Sequence, residues 1–151
     1  MVMDKIAENQ LRVCAEWIEG FEHPTPESVI RHRHEDCVHI QRPRSMGIPI
    51  RNNAQYSKYF TKLLIPSLHN FKVNWKVLSN DPTRNILVFF ATAHGDSAVG
   101  PYDNEYICIL RYTKDGTQIT QIEEFLDSKF TADFFARLYL DSHKKNPAAK
   151  L

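Results

Sequence analysis

The chain has 151 residues, 42% of them hydrophobic and 25% charged, the modal size of one domain with its own core. Nineteen basic residues against eighteen acidic ones leave a formal charge of +1, without the basic face that binding to nucleic acid or an anionic membrane requires. No apolar run approaches the roughly 18 residues of a membrane span and the amino terminus lacks a signal peptide's apolar core, so a soluble, cytoplasmic protein is expected.

In chain order, the spacing of Ile6, Val13, Cys14, Trp17, Ile18 and Phe21 predicts an amphipathic helix over 4–20, ended by Gly20. Thr25-Pro26-Glu27 opens a second, shorter helix reaching about His34, with Thr25 as cap and Pro26 in the first turn. A short strand over 37–41 and an irregular loop over 42–50 follow. Asn52 and Gln55 have capping-box spacing and start a third helix, whose Tyr56, Tyr59, Phe60, Leu63 and Leu64 form one stripe before Pro66 ends it. Strands are expected over 69–78 and 85–94, then a loop over 95–102. The last helix runs from a Ser128 cap to about Leu140 and buries Phe130, Phe134, Phe135 and Leu138. Residues 1–143 form a single domain in this reading, with 144–151 as a solvated tail.

The stretch from Asp103 to Asp127, DNEYICILRYTKDGTQITQIEEFLD, reads as two strands, 105–113 and 119–126, joined by a turn at Lys114-Asp115-Gly116. Alternation puts Glu105, Ile107, Ile109 and Arg111 on one face and Tyr106, Cys108, Leu110 and Tyr112 on the other. Both faces are mixed, which suggests that one lines a cavity and the other meets a partner. Carboxylates are depleted from half-buried strands because desolvating them is costly, so Glu105, Glu123 and Glu124 call for a reason. The fold class follows from the element order: α+β, with a curved antiparallel sheet forming a cone and helices packed on its concave face.

This order, with HIQRPRSMGIPIRNNAQYSKYF after the first strand and NEYICILRY, DG and ITQIEEFLDS at the end, resembles the nuclear-transport-factor-2-like superfamily. Within it the chain is most similar to the SnoaL-like polyketide-cyclase branch and its small fungal secondary-metabolism proteins. Set against the limonene-epoxide hydrolase branch, His39 and Gln41 stand where that branch has a tyrosine and an asparagine that position water. Glu124 falls at its pocket aspartate, and Glu105 and Ile107 at apolar pocket positions. Its Arg-x-Asp pair is replaced by Phe90 and Thr92, which argues against epoxide hydrolysis by that triad.

The resemblance implies that His39 and Gln41 look into the cone. His39 with Glu124 then forms an acid/base pair in an apolar cavity, with Glu105 as a second carboxylate that shifts a pKa. Gln41 is the expected donor to an enolate oxygen, while Tyr56, Phe90, Thr92, His94 and Ile107 shape the substrate site. The alternative for His39 is a structural hydrogen bond to a buried acid, and for Glu105 a solvated strand end. Which of Glu123 and Glu124 faces inward depends on register.

Arg42 and Arg44 are further candidates to hold a substrate oxygen. His32-x-His34 with Glu35 and Asp36 has metal-like composition but the wrong helical spacing, and no metal site is expected. Cys14, Cys37 and Cys108 read as reduced core residues. These readings together describe an isomerase, cyclase or dehydratase that uses no cofactor and acts on a hydrophobic, carbonyl-bearing polyketide or terpenoid-type natural product. A homodimer through Tyr106, Tyr112 and Phe125 is expected. The rival reading is a non-catalytic binding or dimerisation module, and enclosed, convergent titratable groups would decide against it.

Overall fold

In the computed structural model, which describes residues 1–148, helix α1 (Val2–Glu19) buries Val13, Cys14, Trp17 and Ile18. These pack with Leu87, Phe89, Leu110 and Ile122 of the sheet. The chain turns where Gly20 passes Ser28, since a Cβ on Gly20 would stand 2.4 Å from the Ser28 carbonyl oxygen.

The expected second helix shrinks to one 3-10 turn, Ser28–Ile30. The N-cap of this turn is Glu27, without a side-chain cap bond, while Thr25 closes the turn before it, its Oγ1 accepting from the Ser28 N–H at 2.9 Å. The Ser28 hydroxyl donates to the Gly20 carbonyl oxygen at 2.7 Å, which ties the turn to the end of α1. Arg31 is already extended and His32 takes a φ of +60°. The released residues join the following strand, so β1 spans Arg33–Arg42 and His34 lies on a strand.

After β2 (Arg51–Asn52) comes α2 (Asn53–Tyr59), which continues as a π-helical turn over Phe60–Leu64. The capping box is present: Asn52 accepts from the Gln55 N–H at 2.8 Å, and Gln55 accepts from the Asn52 N–H at 2.9 Å. Strands β3 (His69–Asp81), β4 (Ile86–Asp96), β5 (Tyr102–Tyr112) and β6 (Ile119–Leu126) form the meander. Gly116, at φ +73°, supplies the left-handed backbone of the β5–β6 turn. Helix α3 (Ser128–Lys145) is capped by Asp127 rather than Ser128, its side chain accepting from the Phe130 N–H at 3.0 Å. It runs past Leu140 and takes in the first residues of the expected tail, of which 149–151 lie outside the described residues.

The strand order is β2-β1-β6-β5-β4-β3. Every pairing is antiparallel except β1 with β6, which is parallel, so the curved sheet is mixed. No hairpin links β1 to β6 and none dictates their direction. Bulges in β1, β3 and β6 bend the strands. All three helices cover one face, with Tyr56, Phe60 and Leu64 packing on Val29, and Phe134 and Leu138 on Ala93 and Tyr102. The result is the expected α+β arrangement. Among the described residues no helix is long and apolar enough to cross a membrane.

The inner face of β5 is the one without charge: Tyr102, Asn104, Cys108, Leu110 and Tyr112 are buried, while Glu105 and Arg111 are exposed. Its partners on β4 are Leu87, Phe89, Ala91 and Ala93. Five sequence expectations are corrected here. Glu105, Ile107, Phe90, Thr92 and His94 lie on the outer face, because burying Tyr106, Cys108 and Leu110 costs less than desolvating Glu105 and Arg111. His94 pairs with Asp103 at 2.9 Å on that outer side. For the same reason Tyr106 and Tyr112 are turned inward and are unavailable to an outer interface, where Phe125 alone of the three named aromatics remains, 45% exposed.

Candidate functional site

Between the helices and the inner face lies a cavity of about 90 Å3. Its wall is mostly apolar, with Trp17, Phe60, Leu64, Phe89, Ala91 and Phe135 among the lining residues. Polar groups enter at two places, one on the parallel β1–β6 seam and one on β5.

On the seam, alternation brings His39 and Gln41 of β1 and Glu124 of β6 to the cavity; Gln41 is the direct register partner of Glu124. Glu123 faces outward, where Arg42 Nε lies 3.5 Å from its carboxylate, so the register question resolves in favour of Glu124. The His39 Nε2 stands 3.0 Å from Glu124 Oε2, and Gln41 Nε2 donates to the same oxygen at 3.0 Å. Arg51 in turn donates to Gln41 Oε1 at 3.0 Å and sits over the Tyr59 ring. Behind His39, Arg33 Nη2 reaches Nδ1 at 3.2 Å. Tyr56 stacks on the imidazole with centroids 4.4 Å apart and carries the Arg33 guanidinium on its ring at 4.3 Å.

This arrangement fixes the histidine tautomer. An arginine only donates, so Nδ1 must accept and the ring hydrogen sits on Nε2, pointed at Glu124. Burial lowers the His39 pKa below its ordinary 6.5, against the raising effect of the Glu124 hydrogen bond and charge. Burial alone would raise Glu124, but the hydrogen bonds from His39 and Gln41 and the charge of Arg33 act against it, and the carboxyl is held below 4.5. The pair therefore rests as neutral imidazole and carboxylate. His39 is 2% exposed and both its nitrogens are engaged. Glu124 lines the cavity and is 16% exposed, and its side-chain hydrogen bonds fall on Oε2, which leaves Oε1 without a partner among the described residues.

The second polar group is formed by Tyr102 and Tyr106, whose hydroxyls hydrogen-bond to each other. Asn104 Nδ2 donates to Tyr102 Oη at 3.1 Å and to Thr131 Oγ1 at 3.0 Å, and its Oδ1 accepts from the Glu105 N–H at 2.9 Å.

His39, Gln41, Tyr56 and Glu124 are thus brought together, whereas Glu105, Phe90, Thr92, His94 and Ile107 are not. Sequence reasoning missed Arg33, assigned to a helix that does not form, and Arg51 and the Tyr102–Tyr106 pair, which it left out of the cavity. The available signal was the uncharged face of β5. Arg44 lies in an exposed 3-10 turn over Arg44–Met46. His32 pairs with Glu16, and the donor atoms of His34, Glu35 and Asp36 come within 4.8 Å of one another at the exposed start of β1. The three cysteines are free and buried, and burial pushes the Cys14 thiol up to about 12 and Cys37 to about 11, which keeps them protonated.

No family model matches the chain. Over 133 residues it is 32% identical to the monooxygenase dmxR10 of Cryptosporiopsis sp., an alignment covering 87% of this chain and 88% of that protein. The crystal structure of the BvnE pinacolase from Penicillium brevicompactum superposes with a TM-score of 0.83 at 27% identity, over 89% of this chain and 94% of that one. A protein described as a SnoaL-like polyketide cyclase, from Shewanella denitrificans, shares the fold alone, with a TM-score of 0.67 at 9% identity over 84% and 96% of the two chains. The uncharged inner face, the seam carboxylate and these likenesses agree: the chain belongs to the SnoaL-like branch of the nuclear-transport-factor-2-like superfamily, among the small fungal proteins of secondary metabolism.

Proposed function

We propose that the protein is an isomerase, cyclase or dehydratase that works by proton transfer on a carbonyl-bearing polyketide or terpenoid-type natural product. The observation that carries this reading is the enclosed carboxylate: Glu124, held by His39 and Gln41 at 3.0 Å each, with Oε1 left for a ligand. In this reading Glu124 is the general base, and His39, expected from the sequence to exchange the proton itself, is the positioning residue that fixes and tunes the carboxylate. Gln41, engaged by Glu124 and Arg51, has the same supporting task.

A carboxylate held below its ordinary pKa is a weak base in the empty cavity. Substrate entry changes that, because covering Oε1 adds to the burial that already pushes the pKa up. Activated C–H groups between carbonyls, or phenolic hydroxyls, are the acids such a base can deprotonate. The pinacolase name of one structural neighbour supports skeletal rearrangement without redox change, whereas the monooxygenase name of the relatives points to oxygen insertion. The same proton abstraction would precede either outcome. A homodimer through the outer face around Phe125 is part of the proposal, and the convergent, enclosed groups favour an enzyme over a binding module.

The test is a panel of carbonyl-bearing polycyclic polyketides and terpenoids, incubated with and without oxygen and analysed by mass. Products of unchanged mass, or lighter by one water, are expected, with Glu124→Gln slower by at least ~10^2-fold. Oxygen-dependent products heavier by one oxygen atom would replace the isomerase reading with the monooxygenase one. Wild-type turnover by Glu124→Gln would remove the carboxylate from the mechanism.

A further inference from the structure

If Glu124 removes a proton beside a carbonyl, the electron pair moves from the C–H bond into a new C=C bond and the charge collects on the oxygen. That oxygen needs a hydrogen-bond donor. Gln41, the donor expected from the sequence, has its oxygen held by Arg51 and gives one of its two amide hydrogens to Glu124 Oε2, which ties it to the base side of the cavity.

A proton count finds the donor elsewhere. The Glu105 N–H fixes the Asn104 oxygen, which leaves the Asn104 amide nitrogen to donate its two hydrogens to Tyr102 and Thr131. Tyr102 Oη is therefore an acceptor from Asn104. The two phenols then hold two hydrogens, and only one is used between them. Whichever way that bond runs, one phenolic hydrogen has no acceptor among the described residues, and both tyrosines line the cavity. Donation from Asn104 polarises Tyr102 toward giving its hydrogen to Tyr106, which leaves the Tyr106 hydrogen free.

The position suits a substrate that spans both polar groups. Cys108 is the register partner of Glu124 and Tyr106 that of Leu126, so Tyr106 and Glu124 are diagonal neighbours on the inner face. Burial raises both phenols, Tyr102 up to about 12 and Tyr106 further, with the Glu124 charge adding to the rise, so both remain donors at neutral pH.

We propose that the Tyr102–Tyr106 pair is an oxygen-binding subsite for the carbonyl, or the derived enolate, of a neutral aryl or polycyclic ketone, with the Tyr106 hydroxyl as the direct donor. The assignment rests on the proton-transfer reading of Glu124, but its test does not require turnover. Acetophenone and α-methylstyrene have nearly the same shape and differ in a C=O against a C=CH2 group, so together they isolate the oxygen contact. Binding of each is measured by ligand-observed NMR, and by quenching of Trp17, which lines the cavity.

Tyr106→Phe is expected to weaken acetophenone roughly tenfold and leave α-methylstyrene unchanged, with Tyr102→Phe giving a smaller loss of the same selectivity. An equal effect of Tyr106→Phe on both ligands, or unchanged binding of both in both variants, overturns the subsite, provided melting curves show the variants folded. A surviving ketone preference in a protein whose Glu124→Gln variant turns over normally would sink the base and keep the subsite. The two failures are therefore distinct.

Discussion

The β1–β6 seam and the β4–β5 panel bound the same cavity with opposite chemistry. The seam holds Arg33, His39 and Glu124 in one chain of hydrogen bonds; His39 and Glu124 are satisfied by their neighbours, whereas Arg33 Nε and Nη1 are buried without a hydrogen-bond partner among the described residues and its guanidinium rests on the Tyr56 ring. Away from the two tyrosines, the panel buries Leu87, Phe89, Ala91, Ala93, Cys108 and Leu110, and any of these is stable without a specific partner. The panel therefore contributes stability in proportion to area, while the seam contributes a carboxylate in a fixed position at some cost in stability. Small Ala91 and Ala93 leave room for the cavity, and the larger Leu87, Phe89 and Leu110 close the core with α1.

The largest effect expected from this division is on the panel. Leu110 is fully buried and is the register partner of Ile122. Leu110→Ala should lower the unfolding free energy by about 2–5 kcal/mol in a urea titration, while the folded variant keeps its turnover, since Leu110 does not line the cavity. A cost below about 1 kcal/mol would mean that the panel collapses around the gap and is not the rigid half.

How far the sequence carries can be argued from the same two regions. On the seam, alternation on β1 put His39 and Gln41 on one face apart from Val38 and Ile40, and the family likeness turned that face inward and placed Glu124 with it. Arg33 escaped because the strand was started at Cys37: Thr25 closes one turn only, and a bulge separates Arg33 from the regular ladder. On the panel the faces were inverted. Both faces of β5 alternate apolar residues with polar ones, and Glu105 was read as a functional acid when the cheaper solution is to leave it in water. Tyrosine hydroxyls satisfied inside a cavity leave no mark in a hydropathy pattern, so Tyr102 and Tyr106 were legible only once Asn104 was seen beside them.

The next effect is on pH dependence and separates the halves by titration. His39 has a folded pKa depressed below 6.5. As pH falls through 6.5 the unfolded chain takes up a proton that the folded protein refuses, so the unfolded state binds more protons and stability drops. Glu124, depressed below 4.5, adds a loss of the same sign that begins near 4.5 and is complete once pH passes its folded value. Urea midpoints should therefore decline from pH 7 to pH 5, and the decline should flatten in His39→Gln. The panel contributes nothing in this range, because burial raises the Cys108 thiol and the Tyr106 phenol far above it. A wild-type midpoint that stays level or rises on acidification would mean that His39 is protonated in the folded protein and pairs as a cation with the Glu124 carboxylate.

The smallest effect is also the sharpest test of which face of β5 is which. Glu105 and Glu124 are both strand carboxylates, on neighbouring antiparallel strands, and composition alone gives no reason to treat them differently. The structure separates them: Glu124 lies against His39 and Gln41 in the cavity, whereas Glu105 is exposed on the opposite side of the sheet, across from Thr92. Glu105→Ala should change the unfolding free energy by no more than about 0.5 kcal/mol and leave the ketone selectivity of the cavity intact. Asn104 is held by the Glu105 backbone N–H and not by its side chain, so the phenol pair survives the substitution. If Glu105→Ala instead abolished ligand binding or turnover, the inner face of β5 would have to be the one carrying Ile107 and Ile109. Tyr106 would then be on the outside, and the cavity would lose its second polar group along with the panel that supports it.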